Sequence, residues 1–304
     1  MEIEIVQIAE LKPGERSLLD MHSLLNVLNV LQGEAMLIGL HLADNAELLS
    51  ETLAICDRVK ASFSDQDLAL EFARNVRVEE EAILSEIRLV CGRYPGKGDD
   101  AETLESLGNL RSVFHILEVR SQEVLARARE PGKWLDLPIE DMRADFLAVF
   151  AAIEKNSKGR YHIIYNLALQ KPADYYVDFV IESTSGGTVA MPLIFKDVMR
   201  DLIANARKYT PPGGTINVGL HETAAELRFV VQDTGCGIPD DELGEVVNFG
   251  RRGSNVEHMR TMGGGFGLTK AFLVTKQFGG RLWIKSKVGV GTRITITIPR
   301  PEEG

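Results

Sequence analysis

Between Leu24 and Leu42 the apolar residues return at alternating four- and three-residue intervals: Leu24, Leu28, Leu31, Ala35, Ile38 and Leu42. That spacing draws one stripe down a helix, the kind of seam that packs in a bundle. After a one-residue slip, Ala46, Leu49, Leu53 and Cys56 continue it, so the pattern predicts a first helix running to about Phe63. Ser64 or Asp65 is placed to cap the next helix, about 67–90, which breaks at Cys91-Gly-Arg-Tyr-Pro-Gly-Lys-Gly98. A third, from about Asp100 to Arg129, stops at Glu130-Pro-Gly. Residues 16–130 carry almost no strand signal, and three long helices predict an antiparallel all-α bundle.

From Trp134 the texture changes. One more helix, about Ile139 to Asn156, leads into β-rich runs at Tyr161–Tyr165 and Tyr175–Ile181. Ser185-Gly-Gly-Thr188 reads as a hairpin turn between Ile181 and Val189. Further strands are predicted at Thr215–Leu220, Glu226–Gln232, Arg281–Lys285 and Thr292–Ile298, and helices at about Leu193–Tyr209 and Phe266–Phe278. The expected architecture is a helical bundle followed by an α+β sandwich, one mostly antiparallel sheet covered by helices. The expected division is an N-terminal extension at 1–16, a helical domain at 17–132 and a second domain at 133–304.

Composition narrows the classes. A chain of 304 residues is long enough for two cores. A net charge of −10 and a pI near 5.2 argue against nucleic acid or an anionic membrane as partner, since either calls for a basic surface. Cys56, Cys91 and Cys236 lie far apart with no metal-binding spacing, and read as thiols in a reducing cytosol. The acidic start lacks signal-peptide character, and no apolar run is expected to approach the ~20 residues of a membrane helix. A cytoplasmic protein, or the cytosolic piece of a longer one, is expected.

Candidate chemistry sits late in the chain. Asp201-Leu-Ile-Ala-Asn205-Ala-Arg-Lys208-Tyr209-Thr210 places Asp201, Asn205 and Lys208 on one side of a helix. Asp233-Thr-Gly235-Cys-Gly237-Ile-Pro239 runs from a strand end into a glycine-hinged turn, and Gly263-Gly-Gly265-Phe-Gly267-Leu268 opens an apolar helix. Most of the 28 glycines lie after residue 210, as a ligand-cradling loop system requires. Together these stretches offer a hard oxygen ligand, a carboxylate for a base edge and bare amides for phosphates.

In order and context they resemble the asparagine box and the two glycine boxes of the ATP-binding domain of histidine kinases. That Bergerat-type fold is shared with DNA gyrase, the ninety-kilodalton heat-shock chaperone and the MutL repair protein. Val288-Gly-Val-Gly-Thr292 through Pro299 resembles the family's closing strand. The resemblance implies ATP and Mg²⁺ as cofactors, with Asn205 holding the metal and Asp201 beside it as metal ligand or base. It implies that Asp233 accepts the adenine amino group, with Thr292 reaching the base through water. Gly235 and Gly237 would let the backbone approach the base; Gly263, Gly265 and Gly267, leading into Leu268, would offer amides to phosphates. Lys208, next to Tyr209, supplies a positive charge, and Phe249 with Arg251 or Arg252 belongs to a lid between Val246 and Met262. Many histidine kinases carry asparagine where this chain has Asp201. Cys236 reads as filler between two glycines, and His258 as a solvent-facing loop residue.

A kinase domain needs an acceptor. At ~100° per residue, Asn26 and Asn29 fall within about 40° of His22, whereas Leu24 lies about 160° away. His22, Asn26, Asn29 and Gly33 thus form a polar stripe opposite the seam, and His22 is expected to be exposed and nucleophilic. The segment resembles the phosphoacceptor box of histidine kinases, in which asparagine or threonine often follows four residues after the histidine, as Asn26 does. Ser23 departs from the acid usual at that place. The resemblance implies a sensor histidine kinase core: a homodimer through the bundle seam that phosphorylates His22 and passes the group to the aspartate of a response-regulator receiver domain. The second helix would be inserted in, or extend, the usual two-helix hairpin, and no sensory domain is expected in this stretch. Ser23 keeps open a catalytically weak or inactive relative that binds nucleotide as a phosphotransfer scaffold.

Overall fold

The structure, a computed structural model, describes residues 1–157, 159–259 and 264–301. The chain divides into two compact units, Leu11–Pro131 and Met1–Glu10 together with Gly132–Gly304.

The helical unit holds five helices: α1 (Pro13–Asp20), α2 (His22–Ala43), α3 (Ser50–Ser62), α4 (Gln66–Cys91) and α5 (Ala101–Arg129). The expected single helix to Phe63 is therefore three. It breaks first at Met21, whose backbone leaves helical geometry (φ −95°, ψ 3°), and again at Asp44, which is left-handed (φ 53°). The second break lies at the one-residue slip in the stripe. Asn45 Oδ1 there accepts from the Glu47 amide at 3.0 Å, offering the backbone a turn in place of the helix. Asp65 caps α4 through the Asp67 and Leu68 amides, and Asp100 caps α5 through that of Thr103 at 2.7 Å.

Leu24, Leu28, Leu31, Ala35, Ile38 and Leu42 are at most 2% exposed, packed in one core with residues of α3, α4 and α5. The seam is thus filled by this chain's own helices, chiefly α5, and is not the surface for a second copy. Helix α2 is, moreover, long and apolar enough to cross a membrane by length and composition, contrary to the expectation that no such run exists. Its seam is buried in a protein core, which explains that composition: a bundle helix needs apolar residues along its packed face.

The second unit is built on a seven-stranded sheet of order β1-β8-β9-β7-β6-β4-β3. The strands are β1 (Glu2–Ile5), β3 (Ile163–Ile164), β4 (Tyr175–Ser183), β6 (Thr215–Glu222), β7 (Glu226–Asp233), β8 (Arg281–Lys287) and β9 (Gly291–Pro299). Alternate residues of β6, β7 and β9 are buried, the period of two that puts one face on the core. Helices α6 (Ile139–Asn156), α7 (Phe195–Tyr209) and α8 (Gly267–Gln277) complete the α+β sandwich. Phe146, Phe195, Phe229 and Leu202 lie in its core.

Two pairings differ from expectation. Residues 181 and 189 do not flank a hairpin: β4 runs parallel to β6, whereas β5 (Thr188–Pro192) pairs antiparallel with β2 (Trp134–Pro138) in a separate two-stranded sheet. The extension at the start is not loose, since Glu2–Ile5 pair with Leu282–Lys285 of β8 and Ile5 is 3% exposed.

Candidate functional site

Helix α7 brings Asp201, Asn205 and Lys208 to one half-buried side while Leu202, Ile203 and Ala206 face the core. The 3.6-residue period does this without special geometry. Its C-terminal carbonyl at Tyr209 accepts from the Cys236 amide at 3.0 Å, joining the asparagine segment to the glycine turn after β7.

Asp233 ends β7. Its Oδ1 accepts from the Gly235 amide at 2.8 Å and the Thr292 amide at 3.2 Å. Both bonds end on one oxygen, so Oδ2 has no partner among the described residues. Burial pushes the carboxyl up to about 6 against the opposing pull of those two amides. Thr292 Oγ1 lies 2.9 Å from Ser286 Oγ, which also takes the Ile238 amide at 2.9 Å. Ser286 was not expected from the sequence; it sits on a buried position of β8 and welds the turn to β9.

Gly237 has φ 69°, and a Cβ there would strike the Lys287 carbonyl. This glycine is required by the chain's own backbone, whatever it does for a ligand. A Cβ at Gly267 would fall 2.8 Å from Asn205 Nδ2, so the glycine lets the start of α8 approach the asparagine. Among the described residues no side chain caps α8, and its first internal bond is from the Lys270 amide to the Phe266 carbonyl. The amides of its first turn are therefore left for an anion, where the helix dipole favours one. Leu268 packs partly against the core and anchors that turn. Gly265, at φ 78°, lies against Gly250 and Arg251, and Phe266 stacks on Phe249 with ring centroids 4.6 Å apart. Gly263 lies outside the described residues, as do Arg260 to Met262, the last part of the segment from Val246 expected to form a lid.

Two cations are nearby. Burial, with Arg252 adding to it, holds Lys208 below the usual lysine range, while Tyr209, whose ring is 4.9 Å from Nζ, opposes the shift. Arg252 donates to the carbonyls of Val256 at 2.8 Å and Met259 at 3.1 Å, so it braces the backbone of its own loop. Asp201 is paired: Lys270 Nζ stands 3.4 Å from its Oδ2. The sequence reading missed Lys270, a lone charge in the apolar run Leu268-Thr-Lys-Ala-Phe-Leu-Val274 that was its available signal.

Mg²⁺ is the implied ion, and the donors can be tested against it. Among the described residues no group of three or more His, Cys, Asp or Glu side chains converges. An amide oxygen from Asn205 with phosphate and water oxygens suits an ion that keeps most of its water. The residues fit a metal that arrives with a nucleotide, not a resident one.

In the helical unit, His22 opens α2 and is 6% exposed, not displayed. Its Nε2 lies 3.2 Å from Asn26 Nδ2, the four-residue pair expected on one face. An amide nitrogen can only donate, so Nε2 carries the lone pair in that contact. Ser23 Oγ is buried without a hydrogen-bond partner among the described residues. His115 and His258 are exposed, and burial pushes the Cys236 thiol up, consistent with filler.

The model of the histidine kinase-, DNA gyrase B-, and HSP90-like ATPase family matches residues 191–302. The adaptive-response sensory kinase SasA of Synechococcus elongatus is 38% identical over 114 residues, 36% of this chain and 28% of that protein. The virulence sensor protein BvgS of Bordetella bronchiseptica is 25% identical over 272 residues, 84% of this chain and 20% of its own length. The matches thus span under a third of these relatives. A solved structure, the mycobacterial sensor histidine kinase MprB, matches with a TM-score of 0.40 at 21% identity, over 56% of this chain and 99% of that one. Residues 191–302 form a domain of the histidine kinase-, DNA gyrase B-, and HSP90-like ATPase family, and the chain is similar to a sensory kinase over that stretch.

Proposed function

We propose that the sheet unit binds MgATP and that its γ-phosphoryl group passes to His22 and then to an aspartate of a response-regulator receiver domain. The observation that carries the reading is Asp233: a half-buried carboxyl group with one oxygen pinned by two backbone amides and the other left for the amino group of adenine. Thr292 and Ser286 fix its position, and the uncapped first turn of α8 with Lys208 receives the phosphates. Asn205 holds the metal through its amide oxygen; the ion supplies charge neutralisation at the phosphates when bound. The work of this chain's residues is to hold the base, orient the phosphates and exclude water.

His22 Nε2 is the attacking atom, and Asn26, which donates to it here, must release it before attack. Burial at 6% means that the side chain has to be uncovered for transfer. Dimerisation, if it uses the bundle, uses a face other than the filled seam; Val30, Met36, Leu37 and Leu40 of α2 are exposed. The expectation of a cytoplasmic kinase region is kept as part of this reading.

Incubation with γ-labelled ATP tests it: acid-labile label on the wild type and none on His22→Gln. Acid-stable label, or label persisting in that variant, removes His22. A second reading, a nucleotide-binding phosphotransfer scaffold with little autokinase activity, is favoured by the burial of His22 and by Ser23 in place of an acid. Nucleotide binding without any label would select it.

A further inference from the structure

Lys270 is 3% exposed on α8, and Asp197 is 4% exposed on α7. Lys270 Nζ lies 3.4 Å from Asp197 Oδ2 and 3.4 Å from Asp201 Oδ2, so one ammonium bridges two carboxylates a helical turn apart. Arg200 Nη1 donates to the other oxygen of Asp197 at 2.9 Å. Two anions thus meet two cations. A buried charge persists only when paired, and removing one partner of such a set leaves the others uncompensated.

The place of this cluster matters. Lys270 is one turn after Gly267, and the Cβ position of Gly267 falls 2.8 Å from Asn205 Nδ2 and 3.6 Å from Asp201 Cβ. Asp201 is one turn before Asn205 on the same face of α7. The cluster therefore ties together the turn of α8 that offers amides to phosphates and the stretch of α7 that offers an amide oxygen to the metal. Thr269, between Gly267 and Lys270, is fully buried and leaves this turn little room to shift.

We propose that Lys270 is a positioning residue for nucleotide binding. It clamps α8 to α7 through Asp197 and Asp201, and Asp201 serves as its counter-ion instead of as a metal ligand or a base toward water. This rests on the nucleotide-site reading above and deepens it.

The test is a set of affinities for the ATP analogue AMPPNP with Mg²⁺, measured by calorimetry on the intact chain. Wild type, Lys270→Met, Asp201→Asn, the double variant and Lys270→Arg are compared, with melting temperatures recorded for each. The clamp predicts that Lys270→Met weakens binding at least tenfold and that Lys270→Arg stays within threefold of wild type. It also predicts that the double variant stays within threefold of Lys270→Met, since removing Asp201 from helices already unclamped costs nothing further. Wild-type affinity in Lys270→Met overturns the proposal. So does a double variant as weak as the two single losses multiplied together. If Lys270→Met does not fold, the double variant decides alone: binding at least tenfold weaker than wild type supports the clamp, and wild-type affinity overturns it. A wild type that fails to bind overturns the nucleotide-site reading itself, an outcome distinct from all of these.

Discussion

Replacing Asp233 with asparagine should separate binding from stability. The side-chain carbonyl of asparagine can still accept from the Gly235 and Thr292 amides, which lie 2.8 and 3.2 Å from Oδ1 in the wild type. What changes is the second atom: an acceptor oxygen becomes an NH₂ donor, facing the amino group of adenine. The loss is one hydrogen bond to a charged acceptor, about 1.5–3 kcal/mol, so affinity for ATP should fall roughly 10- to 150-fold. Stability should move the other way. Burial raises the carboxyl from 3.8 to about 6, a difference of about 3 kcal/mol against the ionised form in the folded protein. Between about pH 4 and pH 6 the folded chain keeps a proton that the unfolded chain gives up, so wild-type stability falls as pH rises through that window and is level above it. Asparagine never ionises. The variant should therefore melt higher than wild type at pH 8, by a few degrees, with the advantage shrinking to nothing near pH 4. Scanning calorimetry at the two pH values and nucleotide titration at pH 8 check both halves. Unchanged affinity, or a melting temperature lowered at pH 8, would refute the reasoning.

Other perturbations follow from the same geometry. Ile5→Ala should cost about 2–4 kcal/mol, because Ile5 is 3% exposed in the sheet unit's core; an unshifted melting temperature would show that β1 is not docked. Gly39→Ala would push a methyl group into the Asn45 carbonyl, and chemical denaturation should show about 1–3 kcal/mol lost from the helical unit; a neutral result would mean the α2–α3 turn yields easily. Gly267→Ala should weaken nucleotide binding at least fivefold with little change in melting, since its Cβ meets Asn205 and not the core, and an equally tight complex would separate Asn205 from the phosphate turn. ATP affinity of the wild type should fall as pH drops below about 6, where Asp233 protonates; a flat profile between pH 7.5 and 5.5 would remove it as the base acceptor.

The parts of this molecule that repeat on a short period were legible in its sequence. The stripe from Leu24 to Leu42 gave α2, the alternating runs of β6, β7 and β9 gave the middle of the sheet, and Asp65, one of the two caps expected for the next helix, does cap it. What was missed depends on partners far along the chain. Glu-Ile-Glu-Ile at 2–5 alternates like a strand, but its partner is β8, some 280 residues away, and local pattern cannot supply that pairing. The parallel alignment of β4 with β6 was hidden behind a turn-like Ser185-Gly-Gly for the same reason. At the site, residue type and spacing singled out Asn205, Asp233 and the glycines, and the fold sets Gly267 against Asn205 and Gly235 against Asp233. Lys270 stood out only as a lone charge in an apolar run, and nothing local shows that two carboxylates await it on another helix. His22 was placed on the correct side relative to Asn26, yet its exposure was misjudged: the helix angle says which residues share a face, not what covers that face.

The central claim is that the sheet unit grips an adenine nucleotide through Asp233 and Asn205. Titration calorimetry of the intact chain with ATP and magnesium, run at two temperatures so that a vanishing enthalpy at one cannot hide binding, tests it most directly. The account predicts saturable binding of one nucleotide per chain, with GTP bound far more weakly. No heat at either temperature with millimolar ATP and magnesium would contradict it.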